Sequence, residues 1–576
     1  MTSAVRALFV MLAFGLLVLP AAVHAQGDPS DRAADRAKIT EIQILGLNDF
    51  HGNLEPPTGS GGRIGGTEPA GNAGGVEFLA THVRDLRATN PNTLFVSAGD
   101  LIGATPLISA LFHDEPTIEA FNQMGLDYNG VGNHEFDEGV DELLRMQDGG
   151  CHPVDGCQDG DPFLGADFEF LAANVAYKDT GKTIFPPFAI HHFPGVKVAV
   201  IGMTLEGTPS IVSPAGISHV NFSDEADTVN ALVPELRKQG IETIIVLLHE
   251  GGATSNPLNA TTINQCGTLT GALPPIVQAM DDAVDVVVTG HTNWAVNCLI
   301  DGKIVTGAAS AGRLVTDIDL TVSRATKDVV SAQVENKIVR RTVDKAPDLT
   351  TLVTKYKTLS APFANRVIGN ITADITRAAN PAGESALGDV IADSQLTATT
   401  PADLGNAVIA FMNPGGIRTD LLFGQISGGE QPGQVTYGEA FNVQPFGNSL
   451  VTMTLTGAQI DILLEQQWFV NPTTGVLTTN ILQVSNGFTY AYNPAAPIGS
   501  RIDPASIKLG GTTLGAGTSY RVTVNSFLAE GGDNFFVLRD GTSRLGGDVD
   551  LDAIEKYFTA NPGGVAPGPQ NRITRL

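Results

Sequence analysis

The most informative segment of this chain reads Gly132-Asn133-His134-Glu135-Phe136-Asp137. It places an amide, an imidazole and two carboxylates within six residues, and its leading glycine leaves the backbone free to turn. A single solvated surface turn can have this composition. Four other segments carry the same residue types, however, and a series of unrelated surface turns does not explain all of them.

Each of these segments follows an apolar, β-branched stretch that we predict to be a strand. The polar groups that end the predicted strands are Asp49-Phe50-His51, Gly99-Asp100, Asn133-His134, His249 and Gly290-His291-Thr292-Asn293. The strands alternate with stretches of helical spacing, such as Val76 to Arg87. Because open α/β sheets gather ligands at the carboxyl ends of their strands, the sequence predicts an α/β domain with its site at that edge.

The residue types at this edge fit a pair of divalent cations. Carboxylate, imidazole and amide oxygen together suit borderline ions, so Zn²⁺ or Mn²⁺ is the expected metal. Asp100 is a natural bridging ligand, because a shared carboxylate offsets the repulsion between two cations. Two such metals can hold both the attacking and the leaving oxygen of an in-line phosphoryl displacement.

Chain length and net charge limit the number of domains and the kind of partner. A chain of 576 residues is longer than a single hydrophobic core usually covers, and from Gly369 onward the sequence pattern changes to short strands and glycine turns. We therefore predict a first domain at 39–342, a linking helix or hinge at 343–367 and a second domain at 368–576. The net charge of −27 repels a nucleic-acid backbone, so no nucleic-acid partner is expected.

The N-terminus has the pattern of a secretory signal. Arg6 precedes the apolar run Ala7 to Leu19, and Val23-His24-Ala25 fits a cleavage site. We predict a signal peptide at 1–25 and a flexible lead-in at 26–38, hence an exported protein that is periplasmic or extracellular. The run is short for a membrane span, so stable membrane insertion is not expected, although a retained anchor is the alternative.

The four cysteines agree with export. Cys151 and Cys157 flank a short polar loop, while Cys266 and Cys298 lie farther apart in the same half of the chain. Three pairings are possible, and we expect the local one. A structural zinc site is the alternative, but the closely spaced cysteine pairs that such a site uses are missing.

The second half contains three loop-like segments that suit a nucleotide. Met412 to Arg418 ends an apolar run in glycines and a guanidinium, which can contact phosphate oxygens in a bidentate manner. Pro445 to Asn448 and Asn525 to Phe536 each place a phenylalanine in a loop. Two such rings can sandwich a planar base. Taken singly, the arginine can equally belong to a surface turn and either phenylalanine to the core.

The five strand-end segments resemble those of the calcineurin-like metallophosphoesterases, and the second half resembles the C-terminal domain of the 5′-nucleotidases. The resemblance covers nearly all of the predicted mature chain. It implies an α/β protein with an N-terminal four-layer α/β/β/α metallophosphoesterase sandwich, a linking helix and a C-terminal α+β substrate-binding domain.

The resemblance also implies roles for individual residues in the first domain. One metal would be held by Asp49, His51, Asp100 and Asn293, and the other by Asp100, Asn133, His249 and His291. His134 and Asp137 would form the dyad that stabilises the transition state, with Asp137 orienting the imidazole. Much of the wider superfamily has a second histidine where this chain has Asn293, and the 5′-nucleotidase branch has an amide there.

Roles in the second domain follow in the same way. Phe446 and Phe527 would clamp the base, and Arg418 would contact the phosphate. The groups expected to bond base or ribose are Asn413, Asn448 and Asp533. Members of this family often have further arginines where this chain has Asn380-Pro381-Ala382-Gly383. This chain therefore departs from the family in the residues expected to bind the phosphate.

The expected function is that of an exported dimetal phosphohydrolase, which cleaves 5′-nucleotides to nucleoside and phosphate. One alternative keeps the machinery and changes the substrate to a UDP-sugar or a 2′,3′-cyclic nucleotide. Another is a thiosulfate-ester hydrolase with a dimanganese centre, which would not need the phenylalanine clamp. A third is a non-catalytic, nucleotide-binding surface protein. The sequence leaves the native metal, the preferred base and the oligomeric state open.

Overall fold

The structure is a computed structural model. It describes residues 38–57, 62–66, 72–210, 212, 214–470, 476–529 and 531–576. The predicted signal peptide at 1–25 and all but the last residue of the predicted lead-in at 26–38 lie outside the described residues.

Two six-stranded sheets form the centre of the first domain. In spatial order, the first sheet consists of Val329–Ile338, Leu314–Ser323, Ile39–Leu47, Thr93–Ser97, Tyr128–Gly130 and Glu169–Leu171. The second consists of Ala295–Ile300, Lys303–Ala308, Val286–Thr289, Thr243–His249, Val196–Thr204 and Phe188–Phe193. Short two-stranded pairs are Val175–Tyr177 with Val220–Phe222 and Gly252–Thr254 with Leu269–Gly271.

The central strands are apolar on both faces because both faces are covered. Ile42 and Ile44 pack between the two sheets, whereas Leu45 and Leu47 of the same strand pack toward the helices. Successive side chains of a strand point to opposite faces, so an unbroken apolar run is what a doubly covered strand requires. The parallel central strands therefore deliver their carboxyl ends to one edge of each sheet.

Helices cover the outer face of each sheet. The helices Val76–Arg87, Leu107–Ala110, Glu115–Met124 and Val140–Asp148 lie on the first sheet, and Glu225–Lys238 and Leu273–Ala279 lie on the second. A short helix, Pro214–Ile217, lies between them in sequence. The predicted four-layer α/β/β/α sandwich is confirmed, and the helix predicted at Val76 to Arg87 has those bounds.

The second domain has α+β architecture, as predicted. Its five-stranded sheet consists of Gln483–Val484, Ile409–Met412, Ser519–Asn525, Ser449–Thr456 and Thr542–Val549. A four-stranded sheet consists of Thr512–Thr513, Lys508–Leu509, Phe488–Tyr492 and Ile573–Arg575. The two-stranded pairs are Val367–Asn370 with Gln434–Thr436 and Trp468–Val470 with Leu477–Thr479. The helices are Ala386–Thr399, Tyr437–Val443, Gly457–Glu465, Ser526–Ala529 and Asp550–Ala560.

The helix Pro347–Ala364 lies within the segment predicted to link the domains. It buries Leu349, Leu352 and Tyr356 in the core that covers the first sheet. Proline at its first position fixes a backbone angle suited to a helix start. Among the described residues, no helix is long and apolar enough to cross a membrane.

The predicted cysteine pairing is confirmed. Cys151 is bonded to Cys157, and Cys266 is bonded to Cys298. The second bond joins the edge strand Ala295–Ile300 to the loop that precedes Leu269–Gly271, and the first closes a loop of the insertion after helix Val140–Asp148.

Candidate active site

The strand-end residues share an uncommon backbone conformation. Asp49, His51, Asp100, His291 and Asn293 have φ angles of 49°, 46°, 53°, 68° and 60°. Side chains other than glycine adopt this left-handed region rarely, at a cost of order 1–3 kcal/mol each, and such strain concentrates at functional sites. The chain therefore turns sharply at the end of three strands and brings these residues back over the same sheet edge.

The Asp100 carboxylate is the centre of the resulting cluster. Its Oδ2 atom lies 3.0 Å from Nε2 of His249 and 3.7 Å from Nε2 of His51. Its Oδ1 atom accepts a hydrogen bond of 2.9 Å from the backbone N–H of His134. Asp49 completes this side, with Oδ1 3.9 Å from His51 Nε2.

Asn133 joins the other side of the cluster. Its Oδ1 atom lies 3.1 Å from Nε2 of His249 and 2.9 Å from Nδ1 of His291. The structure thus brings together six of the seven residues predicted as metal ligands, which are Asp49, His51, Asp100, Asn133, His249 and His291.

Asn293 is the one predicted metal ligand whose side chain the structure does not bring into the cluster of the other six. Its side chain is exposed, and its Nδ2 atom lies 3.3 Å from the backbone oxygen of His291. His291 and Asn293 both have left-handed backbone angles, but only the His291 side chain reaches Asn133 in the cluster.

Backbone carbonyls orient two of the imidazoles. His51 Nδ1 lies 2.9 Å from the oxygen of Gly103, and His249 Nδ1 lies 2.7 Å from the oxygen of Ala98. A carbonyl only accepts, so each Nδ1 carries a proton. Nε2 is then the nitrogen through which each imidazole would bind a metal ion.

The electrostatics of the cluster also fit divalent cations. Asp49 Oδ1 is buried without a hydrogen-bond partner among the described residues, and burial raises the pKa of Asp49 to about 7. Burial alone would raise the pKa of Asp100 as well, but His249 and His134 hold it below its ordinary value. A cation favours the charged carboxylate, and this set of carboxylate, imidazole and amide suits a borderline metal.

Glu135 has a supporting role that the sequence analysis missed. Its buried carboxylate accepts hydrogen bonds of 2.9, 2.9 and 2.8 Å from the backbone N–H groups of Asp100, Leu101 and Gly132. It thereby fixes the turn that carries Asp100. Its position beside Asn133 and His134 was the one available signal, and that signal does not reveal which backbone groups it reaches.

His134 and Asp137 form the predicted pair. A 3₁₀ turn spans His134–Phe136, and at three residues per turn the side chains at positions 134 and 137 lie on the same side. His134 Nδ1 lies 2.9 Å from Asp137 Oδ2, and both residues line the cavity described below. The ring also lies edge-on to His51, with centroids 5.0 Å apart.

The second domain closes over this cluster. The Phe446 ring stacks on His134 with centroids 5.8 Å apart, and the guanidinium carbon of Arg418 lies 5.8 Å from the Phe446 centroid. A cavity of about 420 Å³ lies between the domains. Its lining includes His134, Asp137 and His291 from the first domain and Arg418, Phe446 and Phe527 from the second.

The remaining predicted nucleotide contacts line the same cavity and support one another. Asn413 Nδ2 donates to Asp533 Oδ2 over 2.9 Å, and Asn525 Nδ2 donates to Asn413 Oδ1 over 2.9 Å. Asn448 Oδ1 accepts from the backbone N–H of Phe527 over 3.3 Å. Asn525 was not predicted as a site residue, because its place beside Asn413 depends on pairing between strands distant in sequence.

Arg377 lies next to Arg418 without lining the cavity. Its Nη1 atom donates over 3.4 Å to the carbonyl of Ile417, and its side chain is exposed. Among the described residues, Arg418 is the one arginine that lines the cavity.

Comparison with known proteins identifies the class and then the family. Residues 42–294 match the model of the calcineurin-like phosphoesterases, and residues 367–540 match that of the 5′-nucleotidase C-terminal domain. The chain belongs to the 5′-nucleotidase family of metallophosphoesterases. Membership of this family implies that the protein binds divalent metal ions.

Individual relatives cover most of the chain. Cell wall protein Lmo0130 of Listeria monocytogenes is 32% identical over 92% of this chain and 68% of its own length. Endonuclease YhcR of Bacillus subtilis is 30% identical over 92% of this chain, which spans 41% of that relative's length. The crystal structure of a 5′-nucleotidase precursor from Thermus thermophilus is 25% identical, with a TM-score of 0.73 over 93% of this chain and 99% of that one.

Replacing Glu135 by glutamine tests its supporting role. Glutamine keeps one accepting oxygen, but its NH₂ group cannot accept the backbone N–H bonds that the other carboxylate oxygen holds, so we expect metal affinity to fall about 10–100-fold. Competition of the metal-stripped protein with a chromogenic chelator measures this affinity. Glu169→Gln, on an exposed position of the same sheet, is the matched control and should bind as the wild type does. Equal affinities in the two variants would contradict the assignment.

Proposed function

We propose that this chain hydrolyses 5′-nucleotides to a nucleoside and phosphate at a centre of two divalent cations, Zn²⁺ or Mn²⁺. The observation that carries the proposal is the shared cavity. Asn133 and His291 of the metal-ligand cluster line it from the first domain, and Arg418 with two phenylalanines lines it from the second. A volume of about 420 Å³ is in the range of small-molecule sites and suits one nucleotide.

Two overlapping ligand sets support a pair of metals. Asp49, His51 and Asp100 would hold one cation, and Asp100, Asn133, His249 and His291 the other. Asn293 is proposed as a further ligand of the first cation, although its side chain is exposed. When bound, two such cations lower the pKa of water and neutralise charge on the transferred phosphoryl group.

The dyad supplies a proton donor beside the phosphate. Burial lowers the pKa of His134, but the carboxylates of Asp137 and Asp100 outweigh this effect and raise it above its ordinary value. His134 would therefore hold a proton on Nε2 and donate a hydrogen bond to a phosphoryl oxygen as negative charge develops there. Arg418 would bind the phosphate from the opposite wall.

The aromatic wall would bind the base. Phe446 and Phe527 are both partly buried in the cavity wall, and the backbone of Gly532 lies flat against the Phe527 ring. A side chain at Gly532 would meet that ring at 2.4 Å, so glycine permits the ring to keep its place. Stacking between two rings recognises any base by its π-face.

A nucleotide-sized cavity and a net charge of −27 favour a small substrate over a nucleic-acid strand. The alternatives of a UDP-sugar, a 2′,3′-cyclic nucleotide and a non-catalytic nucleotide-binding protein use the same cavity. A thiosulfate ester would leave the aromatic wall unused.

Phosphate release from AMP tests the proposal. The purified protein is stripped with chelator and reloaded with Mn²⁺, Zn²⁺, Co²⁺ or Mg²⁺, and UDP-glucose and 2′,3′-cyclic AMP serve as comparison substrates. We expect metal-dependent release that is fastest from AMP. Cleavage confined to the comparison substrates would contradict the nucleotide assignment, and no cleavage by folded, metal-loaded protein would contradict catalysis.

His134→Ala separates an enzyme from a binding protein within the same experiment. Loss of the proton donor should lower kcat by about 10²–10⁴-fold while nucleotide binding persists. His219→Ala, at an exposed position of the first domain, should retain wild-type turnover.

Replacement of the clamp rings should weaken substrate binding rather than chemistry. Stacking contributes about 1–3 kcal/mol per base, so Phe446→Ala and Phe527→Ala should each raise KM about 5–160-fold. Because Phe446 also stacks on His134, its loss should lower kcat more than the loss of Phe527 does. Phe423→Ala, at an exposed position of the second domain, is the control. Unchanged KM values for AMP in both ring variants would rule out the clamp.

Export is part of the proposal. It is supported by the signal-like N-terminus, by the two disulfide bonds and by the similarity to a protein named for the cell wall. N-terminal sequencing of protein recovered outside the cytoplasm should find a start near Gln26. Full-length protein confined to the cytoplasm would contradict export.

A further inference from the structure

A second cluster of metal-ligating side chains lies away from the strand ends, on the rim of the cavity. The loop closed by the bond between Cys151 and Cys157 carries His152 and Asp155. It packs against His113, which follows helix Leu107–Ala110. The rings of His113 and His152 stack with centroids 3.7 Å apart and planes 15° apart.

We propose that His113, His152 and Asp155 form a third divalent-cation site of the Zn²⁺ class, separate from the candidate active site. The two imidazoles direct one nitrogen each to the same carboxylate oxygen. This site does not depend on the proposed reaction.

The spacing of the ligand atoms supports a metal. His113 Nε2 lies 3.0 Å and His152 Nδ1 lies 3.3 Å from Oδ2 of Asp155. One ligand atom from each of the three residues lies within 4.8 Å of the other two. Around a tetrahedral ion with bonds of about 2.0–2.1 Å, ligand atoms are separated by roughly 3.3 Å. Because the two rings are stacked, one of them must turn for both nitrogens to meet the same ion.

The surroundings present the ligand atoms in the required form. Glu138 Oε2 lies 3.0 Å from Nδ1 of His113, which is the carboxylate–histidine arrangement that orients zinc-binding imidazoles. His152 Nδ1 accepts a hydrogen bond of 3.1 Å from the backbone N–H of Asp155, so it carries no proton. It would become a ligand by exchanging this hydrogen bond for the ion, with no proton to lose.

The local field attracts positive charge. The hydrogen bond to Glu138 raises the pKa of His113 to about 9, and Asp155 and Glu142 add to this effect. Burial of the ring opposes the shift but is outweighed. The same carboxylates attract a cation, which replaces the proton at Nε2. The Asp155 side chain is 44% exposed, so the site is open to solvent. Two imidazoles and a carboxylate suit Zn²⁺ better than Mg²⁺ or Ca²⁺, which prefer oxygen ligands.

The chain just after this loop contacts the linking helix. Asp159, two residues beyond Cys157, has its Oδ2 atom 2.6 Å from Lys355 Nζ and 2.9 Å from the Tyr356 hydroxyl. A cation bound by His152 and Asp155 would therefore lie close in sequence to the contact with helix Pro347–Ala364. Its role would be structural rather than catalytic.

Zinc content tests the site. Full-length protein and its variants are equilibrated with the same free Zn²⁺ concentration, and bound zinc per chain is measured by plasma mass spectrometry. We expect His152→Ala and Asp155→Asn each to bind about one zinc fewer per chain than the wild type. His192→Ala, at an exposed position of strand Phe188–Phe193, should match the wild type.

A further variant separates this site from the active site. Asp100→Asn weakens the candidate active site but should retain zinc at the rim, and its cobalt-loaded form should show the absorption of four-coordinate Co²⁺. That absorption should disappear when His152→Ala is added. Near-ultraviolet circular dichroism verifies folding, and Asp155→Asn, which keeps the side-chain shape, answers the question if the alanine variant unfolds. Equal zinc content in the wild type and the folded variants would overturn the proposal and leave a proton as the group that His113 holds.

Discussion

One buried carboxylate, Asp100, sets the arrangement of the first domain's site. Removing a charge from water is costly unless donors or cations surround it. Here the backbone N–H of His134 and the imidazole of His249 contact its two oxygens, and Glu135 fixes the turn on which it stands. Gly132 makes this possible, since a side chain there would meet Asp100 Oδ1 at 2.2 Å. The geometry of the turn, with its strained backbone, is thus held by contacts from two neighbouring segments, 132–137 and the strand end at His249.

The second domain completes what the first cannot supply. The first domain presents carboxylates and imidazoles, so an anionic substrate meets repulsion there unless cations are bound. Arg418 contributes a permanent positive charge from the facing wall, and the Phe446 ring stacks on the ring of His134. Because the first domain supplies the metal ligands and the second supplies the arginine and the aromatic rings, the cavity lies between the domains rather than within either one.

Local pattern was enough to predict part of this structure. The strand Ile39–Leu47 and the helix Val76–Arg87 follow from apolar periodicity, and the strand-end residues follow from the rule that open α/β sheets bind at one edge. Contacts between distant segments were not predictable in this way. Asn525 meets Asn413 across 112 positions, and His113 meets Asp155 across 42. Periodicity carries no information on such pairs, because they depend on how whole elements pack.

Packing of the linking helix decides which part of the chain it moves with. Leu349 and Tyr356 are fully buried in the core that covers the first sheet. The Tyr356 hydroxyl lies 3.0 Å from Glu119 and 2.9 Å from Asp159, both in the first domain. Burying a large side chain contributes about 1.5–3 kcal/mol, so separating this helix from the first domain is costly. The helix also contacts helix Tyr437–Val443 of the second domain, where Gly438 lies against Ala364 at its C-terminal end. We therefore expect a rotation between the domains to leave the helix with the first domain, with the change of direction after Ala364.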